Sequence, residues 1–184
     1  MHSLSKYKKQ LIAGGIGLLI LVSILIKSQE IHIVDKTRSL MRSSTKSYGT
    51  RTLDQINKII VHHSGSIGQR AEDYARYHVL SKGWPGIAYT FVIEKEGTII
   101  QGNFLETISN NTSGQNTSSI SICLSGNFTQ EEPTLEQLKS LKKLIVYLRK
   151  TLPQHLQVAG HRDYGTTSCP GTNLYKHLKQ FQLA

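Results

Sequence analysis

Val158-Ala-Gly-His-Arg-Asp-Tyr-Gly-Thr-Thr-Ser-Cys-Pro-Gly171 sets a histidine and a cysteine eight positions apart on a loop closed by a Pro-Gly turn. Little of this loop is apolar and its turn residues punctuate it, so it is a poor core element. Imidazole nitrogen and thiolate sulfur are both good zinc ligands. A third ligand has to come from elsewhere, and Lys58-Ile-Ile-Val-His-His-Ser-Gly65 offers one, since a short apolar run there ends in two histidines. His62 or His63, together with His161 and Cys169, gives three protein ligands and leaves a fourth position for water, the pattern of a catalytic rather than a structural zinc. Neighbours at a strand end point to opposite faces, so only one of the two histidines can serve. Spacing alone does not choose between them. Taken singly, each of these histidines reads as a packed or hydrogen-bonded residue, and Cys169 as an inert thiol; the grouping is what points to a metal.

Working outward, the rest of the chain reads as alternating strands and helices. Lys58 to Val61 reads as a buried strand, Gln69 to Lys82 as a helix stopped by Gly83, and Tyr89 to Ile93 with Thr98 to Ile100 as a hairpin around Lys95-Glu-Gly97. Ser119 to Leu124 is a further strand. Thr134 opens the clearest helix, with Gln137 completing a capping box and Leu135, Leu138, Leu141, Ile145, Leu148 and Leu152 forming the expected apolar stripe. Val158 starts a last strand, and Leu174, Leu178 and Phe181 mark a terminal helix. Strands interleaved with helices define an α/β layer.

Four segments carry a resemblance: IIVHHSG, GWPGIAYTFVIEKEGTI, SISICLSGNF and GHRDYGTTSCPG, in that order from Lys58 to the C-terminus. Together they resemble the zinc-dependent N-acetylmuramoyl-L-alanine amidase family, which includes amidase-type phage lysozymes and peptidoglycan recognition proteins. The resemblance implies a central mixed β-sheet flanked by helices. It places the metal ligands at His62, the first of the histidine pair, His161 and Cys169, with Zn2+ as cofactor. It also implies that Tyr89 steadies the attacking water or the oxyanion and that Thr167 contacts the transition state. A phenol donates a hydrogen bond without ionising, which suits that part. The implied activity is hydrolysis of the amide between N-acetylmuramic acid and L-alanine, with peptidoglycan or a muropeptide as substrate. Two departures fall in the groove: Asn111 stands where many members have histidine, and Ser121 replaces a usual glycine, while Asn116 is kept.

The 184 residues carry a formal charge of +10. Residues 1–50 hold eight Lys/Arg against Glu30 and Asp35, and the remainder holds fourteen against ten, so the basic excess lies mostly in the N-terminal arm. A mildly basic folded part excludes the usual nucleic-acid stripe and leaves membrane surfaces and anionic wall polymers as neighbours. Leu11 to Ile26 carries no charge and spans roughly 24 Å as a helix, with lysines at both ends able to snorkel. The expected organisation is a signal anchor or transmembrane segment over 1–28, favoured over a cleaved signal peptide, a basic polar tether over 29–57, and the zinc domain over 58–184. That arrangement puts the domain outside the cytoplasm, periplasmic or extracellular. Cys123, within Ser-Ile-Ser-Ile-Cys-Leu, reads as a small buried hydrophobe, and two cysteines give no disulfide framework. Two alternatives stay in view: a non-catalytic peptidoglycan-recognition module of the same fold, and a metal-free hydrolase with Cys169 as nucleophile.

Overall fold

The structure, a computed structural model, describes residues 31–182. The run Lys58-Ile-Ile-Val-His-His63 forms the strand β3, flanked in register on one side by β7 (Ser119–Leu124) and on the other by β8 (Gln157–Gly160), both parallel to it. Nearly continuous burial along β3 and β7 is what a parallel strand covered on both faces requires; it explains the unbroken apolar run Ile59-Ile-Val61 of β3, whereas β7 alternates and buries Ser119 and Ser121 between its apolar residues. The full sheet has the order β1-β5-β4-β7-β3-β8, with β1 at Ile33–Asp35, β4 at Phe91–Ile93 and β5 at Ile99–Gln101. Only the β4–β5 hairpin is antiparallel, so the sheet is mixed, as expected. Its turn closes through Gly97 N–H donating to the Glu94 carbonyl at 2.8 Å, with Gly97 at φ +87, a conformation that suits glycine.

Helix α1 (Ala71–Leu80) covers one face, where its Ala71, Tyr74 and Ala75 pack with Leu40, Ile87, Val92, Ile100 and Cys123. Helix α2 (Leu135–Thr151) buries Leu141, Leu144, Ile145 and Leu148. Its capping box forms as expected, with Gln137 N–H donating to Thr134 Oγ1 at 3.0 Å and Thr134 N–H to Gln137 Oε1 at 3.1 Å. The apolar stripe, however, begins later than the sequence suggests. Leu135 is 68% exposed, and the fully buried Gln137 faces inward in the first turn. The reason is polar: Gln137 Nε2 donates to the Ser125 carbonyl at 2.9 Å and, at 3.3 Å, to the Ile93 carbonyl, which also accepts the Ser125 N–H. The terminal helix is two short turns, α3 (Thr172–Tyr175) and α4 (Lys179–Gln182), and its three expected apolar residues, Leu174, Leu178 and Phe181, are all buried.

The expected tether over 29–57 is corrected where it enters the described residues. Chain from His32 onward forms one compact unit. Strand β1 pairs in parallel with β5, Leu40 and Ile56 are buried, and a short strand β2 (Gly49–Thr50) pairs with β6 (Thr107–Ile108). The arginines that read as linker charge are carbonyl clamps. Arg42 donates to the carbonyls of Thr37 and Gly102 and to Asn103 Oδ1. Arg51, 6% exposed, donates to the carbonyls of Leu105, Asn116, Thr117 and Ser119. Arg51→Ala strands buried acceptors and is expected to cost about 3 kcal/mol in urea unfolding, against under about 0.5 kcal/mol for exposed Arg38→Ala; equal, small costs in both would mean that the Arg51 clamp adds no stability. The expected anchor over 1–28 lies outside the described residues, among which no helix is long and apolar enough to cross a membrane.

Candidate metal centre

Register brings the centre together. Val61 of β3 lies opposite Gly160 of β8, so the next residue along each strand, His62 and His161, emerge side by side at the same end of the sheet. Their ring centroids are 4.7 Å apart. His62 lies opposite Cys123 on β7 and shares its face, the one that α1 covers, whereas His63 turns to the other face and accepts the Phe128 N–H on Nδ1 at 3.2 Å. The loop after β8 then folds back. Gly171, at φ +87, approaches Phe128 so closely that an added Cβ would sit 2.3 Å from its carbonyl carbon, a fit open only to glycine. Arg162 N–H donates to the Cys169 carbonyl at 2.9 Å, and the Arg162 guanidinium binds the Ser168 carbonyl at 2.6 Å and lies over the Tyr175 ring. The result sets Cys169 Sγ 3.6 Å from His62 Nδ1, with His63 N–H donating to the sulfur at 3.4 Å.

One ligand atom each from His62, His161 and Cys169 lies within 4.8 Å of the others, and among the described residues no fourth histidine, cysteine or carboxylate joins them. The donor set fits zinc. A tetrahedral ion with Zn–N of about 2.0–2.1 Å and Zn–S of about 2.3 Å separates the two donors by about 3.6 Å, which matches the His62–Cys169 spacing. Burial holds His62 well below the usual histidine range, helped by the charges of His161 and His63, and burial also lowers His161. Both imidazoles are therefore neutral at pH 7 and keep a lone pair for a cation. Burial pushes the Cys169 thiol up to about 12, against the lowering pull of the His63 N–H and Arg162. A thiolate forms there only with a cation to neutralise it, so ion binding and proton release go together.

The cluster opens into a cleft of about 270 Å³ that Tyr89, Thr167 and Asn111 also line. The Tyr89 ring stands 5.5 Å from that of His62, and burial, with the Cys123 sulfur nearby, raises its phenol well above 10. Thr167 Oγ1 accepts the Cys169 N–H at 3.1 Å, which steadies the ligand loop and leaves the hydroxyl hydrogen to donate. Ser121, one of the two departures, is buried in a structural role: its Oγ accepts the Thr90 N–H at 2.9 Å. Asn111 lies in the cleft itself, its Nδ2 donating to the Ser109 carbonyl at 3.1 Å.

Sequence reasoning missed two residues. Thr112 Oγ1 sits 3.4 Å from His62 Nε2. His78, within the helix expected over Gln69 to Lys82, lines the cleft and an adjoining lobe of about 370 Å³, accepts the Ala88 N–H on Nδ1, and stacks on Trp84 at 5.0 Å. Burial lowers His78 to about 4, with Lys82 adding to the shift. Because the folded pKa is depressed, the unfolded chain takes up this proton first as pH falls. The stability tied to neutral His78 is whole above about pH 6.5 and is lost on acidification, reaching about 3 kcal/mol at pH 4. Urea unfolding of the wild type and His78→Phe at pH 7 and pH 4 should show that much less acid loss in the variant; parallel losses would mean that His78 is not held neutral.

Fold and cluster define a class: a mixed-sheet α/β domain with two histidines and a cysteine, in a geometry that fits a metal ion, gathered at the carboxyl ends of its central parallel strands. The family profile described as N-acetylmuramoyl-L-alanine amidase matches residues 52–172. The chain belongs to that family. It is 26% identical over 174 residues to peptidoglycan-recognition protein SC2 of Drosophila melanogaster, covering 88% of this chain and 94% of that one. Among solved structures it is similar to the N-acetylmuramoyl-L-alanine amidase LysC from Clostridium intestinale, at 27% identity and TM-score 0.68 over 83% of this chain and 97% of that one. It is likewise similar to a chain of the peptidoglycan recognition protein LCa–LCx ectodomain complex bound to tracheal cytotoxin, at 25% identity and TM-score 0.74, covering 82% and 96%. The relatives thus include both an amidase and recognition proteins.

Proposed function

We propose that this protein is a zinc-dependent amidase that cleaves the bond between N-acetylmuramic acid and the L-alanine of the peptidoglycan stem. The observation that carries the reading is the convergence of His62, His161 and Cys169, both imidazoles neutral, at the mouth of a cleft that also holds Tyr89. A zinc ion in such a site supplies Lewis acidity and lowers the pKa of water toward neutrality. His62 and His161 hold it through lone pairs, and the Cys169 sulfur removes one unit of its charge. Tyr89, kept protonated by burial, donates its O–H to the oxygen on which negative charge develops. The Thr167 hydroxyl supports the same charge more weakly and keeps the Cys169 loop in place.

The proposal extends to location: an anchor within 1–28 holds the domain outside the cytoplasm. This part rests on the uncharged Leu11–Ile26 run alone. Protease accessibility in cells stripped of wall tests it, and full protection of the domain would reverse it.

Purified protein incubated with muropeptides should release stem peptide with a free alanine amino group, lose that activity to a chelator, and regain it with zinc. Tight muropeptide binding with no release, zinc present, would make the protein a recognition module instead. Cleavage that survives the chelator but not a thiol alkylator would move the nucleophile to Cys169.

A further inference from the structure

A neutral imidazole carries one N–H and one lone pair, and which nitrogen holds which is set by the partners around it. His62 is 2% exposed, so protein groups and not water decide its tautomer. Its Nδ1 faces Cys169 Sγ at 3.6 Å and its Nε2 faces Thr112 Oγ1 at 3.4 Å, with Thr112 itself 2% exposed. The two arrangements are unequal. An Nε2–H meets a hydroxyl oxygen, a good acceptor, while Nδ1 accepts from the thiol. An Nδ1–H instead lets the Thr112 hydroxyl donate to Nε2 but meets a sulfur, a weak acceptor that already receives the His63 N–H, so the arrangements differ at the sulfur. The second arrangement also puts a proton where a cation has to bind.

Thr112 is held for this purpose from behind. Asn116 Oδ1 accepts the Thr112 N–H at 2.8 Å and the Asn111 N–H at 3.1 Å, and the Asn116 carbonyl accepts from Arg51 Nη1 at 2.7 Å. A chain of contacts therefore runs from the segment before β3, through the 111–116 loop, to the histidine.

We propose that Thr112 is a positioning residue: its hydroxyl accepts the His62 Nε2–H and thereby turns the Nδ1 lone pair into the space shared with His161 and Cys169. Its metal arm rests on the zinc reading given above; its tautomer arm does not. A ligating histidine whose outer nitrogen loses its partner binds metal about ten- to a hundredfold more weakly.

The test uses the full chain, wild type, Thr112→Val and Thr112→Ser. In metal-free protein at pH 7, long-range proton–nitrogen NMR should show His62 as the Nε2–H tautomer in wild type and Thr112→Ser, and shifted toward Nδ1–H in Thr112→Val. Zinc competition against a chromophoric chelator should show Thr112→Val weakened about ten- to a hundredfold, with Thr112→Ser within a few-fold of wild type. An Nδ1–H tautomer in the wild type overturns the proposal whether or not the valine variant folds. So does a serine variant that fails alongside valine, which would mean the methyl group matters and the hydroxyl does not, or a valine variant with wild-type tautomer and affinity. If wild type shows the expected tautomer but takes up no zinc, the metal reading fails while the role of Thr112 stands.

Discussion

Cys169→Ser is expected to abolish zinc retention and lower amidase turnover by at least about a thousandfold, while the domain stays folded. The loss corresponds to about 4 kcal/mol of transition-state stabilisation, within what a Lewis acid supplies at an amide carbonyl. Serine tests the thiolate and not the space. It keeps a heteroatom to accept the His63 N–H that Cys169 Sγ now accepts at 3.4 Å, so the strand end keeps its partner. What it cannot supply is a deprotonated ligand, because a hydroxyl is a far weaker acid than even a thiol pushed up to about 12. Two neutral imidazoles then face a divalent ion with no charge compensation. Metal analysis after dialysis, kcat/KM on a muropeptide and thermal unfolding without metal separate the outcomes. Near-unit zinc content with full turnover in the variant would remove Cys169 from the centre. Lost turnover with unfolded protein would assign it to structure.

The parts of this protein that could be read from sequence are those whose cause is local. Lys58-Ile-Ile-Val reads as a buried strand because four residues suffice to show it, and the Thr134–Gln137 box reads as a helix start because both partners lie three residues apart. What could not be read depends on distant partners. The three residues of β1 show no alternation, and the strand exists because β5, more than sixty residues later, offers an edge. Arg51 looked like linker charge since nothing nearby announces the carbonyls of Leu105, Asn116, Thr117 and Ser119. Leu144, absent from the expected stripe, is fully buried, because Gln137 takes the inward position of the first turn and shifts the apolar face.

The metal cluster divides the same way. His161 and Cys169 are a local pair on one loop, but the choice of His62 over His63 came from resemblance. In the structure both histidines line the cleft, but the register that sets His62 opposite Cys123 puts it on the α1 face beside Tyr89, within reach of His161 and Cys169, while His63 turns to the other face. His78 and Thr112 act through contacts with Ala88 and His62 that no spacing in the sequence reports.

Tyr89→Phe should lower kcat by about 10²–10³-fold, as loss of one oxyanion donor does, and leave zinc content and muropeptide affinity close to wild type. The substitution removes one oxygen and keeps the ring that packs against the core cluster, 5.5 Å from His62 and edge-on to His78 at 5.6 Å. Folding stability should therefore change by under about 1.5 kcal/mol, the net worth of a single hydrogen bond. Because the donor matters only once negative charge has developed on the substrate oxygen, the loss should fall on kcat and not on KM. The pH profile gives an independent reading. Burial holds the phenol well above 10, so Tyr89 stays a donor across the working range and adds no inflection between pH 6 and 9 in the wild type. The variant should run parallel below it across the whole range. Turnover equal to wild type would make Tyr89 a packing residue. A variant that binds muropeptide as before but no longer cleaves it would show that the same cleft carries recognition and hydrolysis, with one hydroxyl as the difference between them.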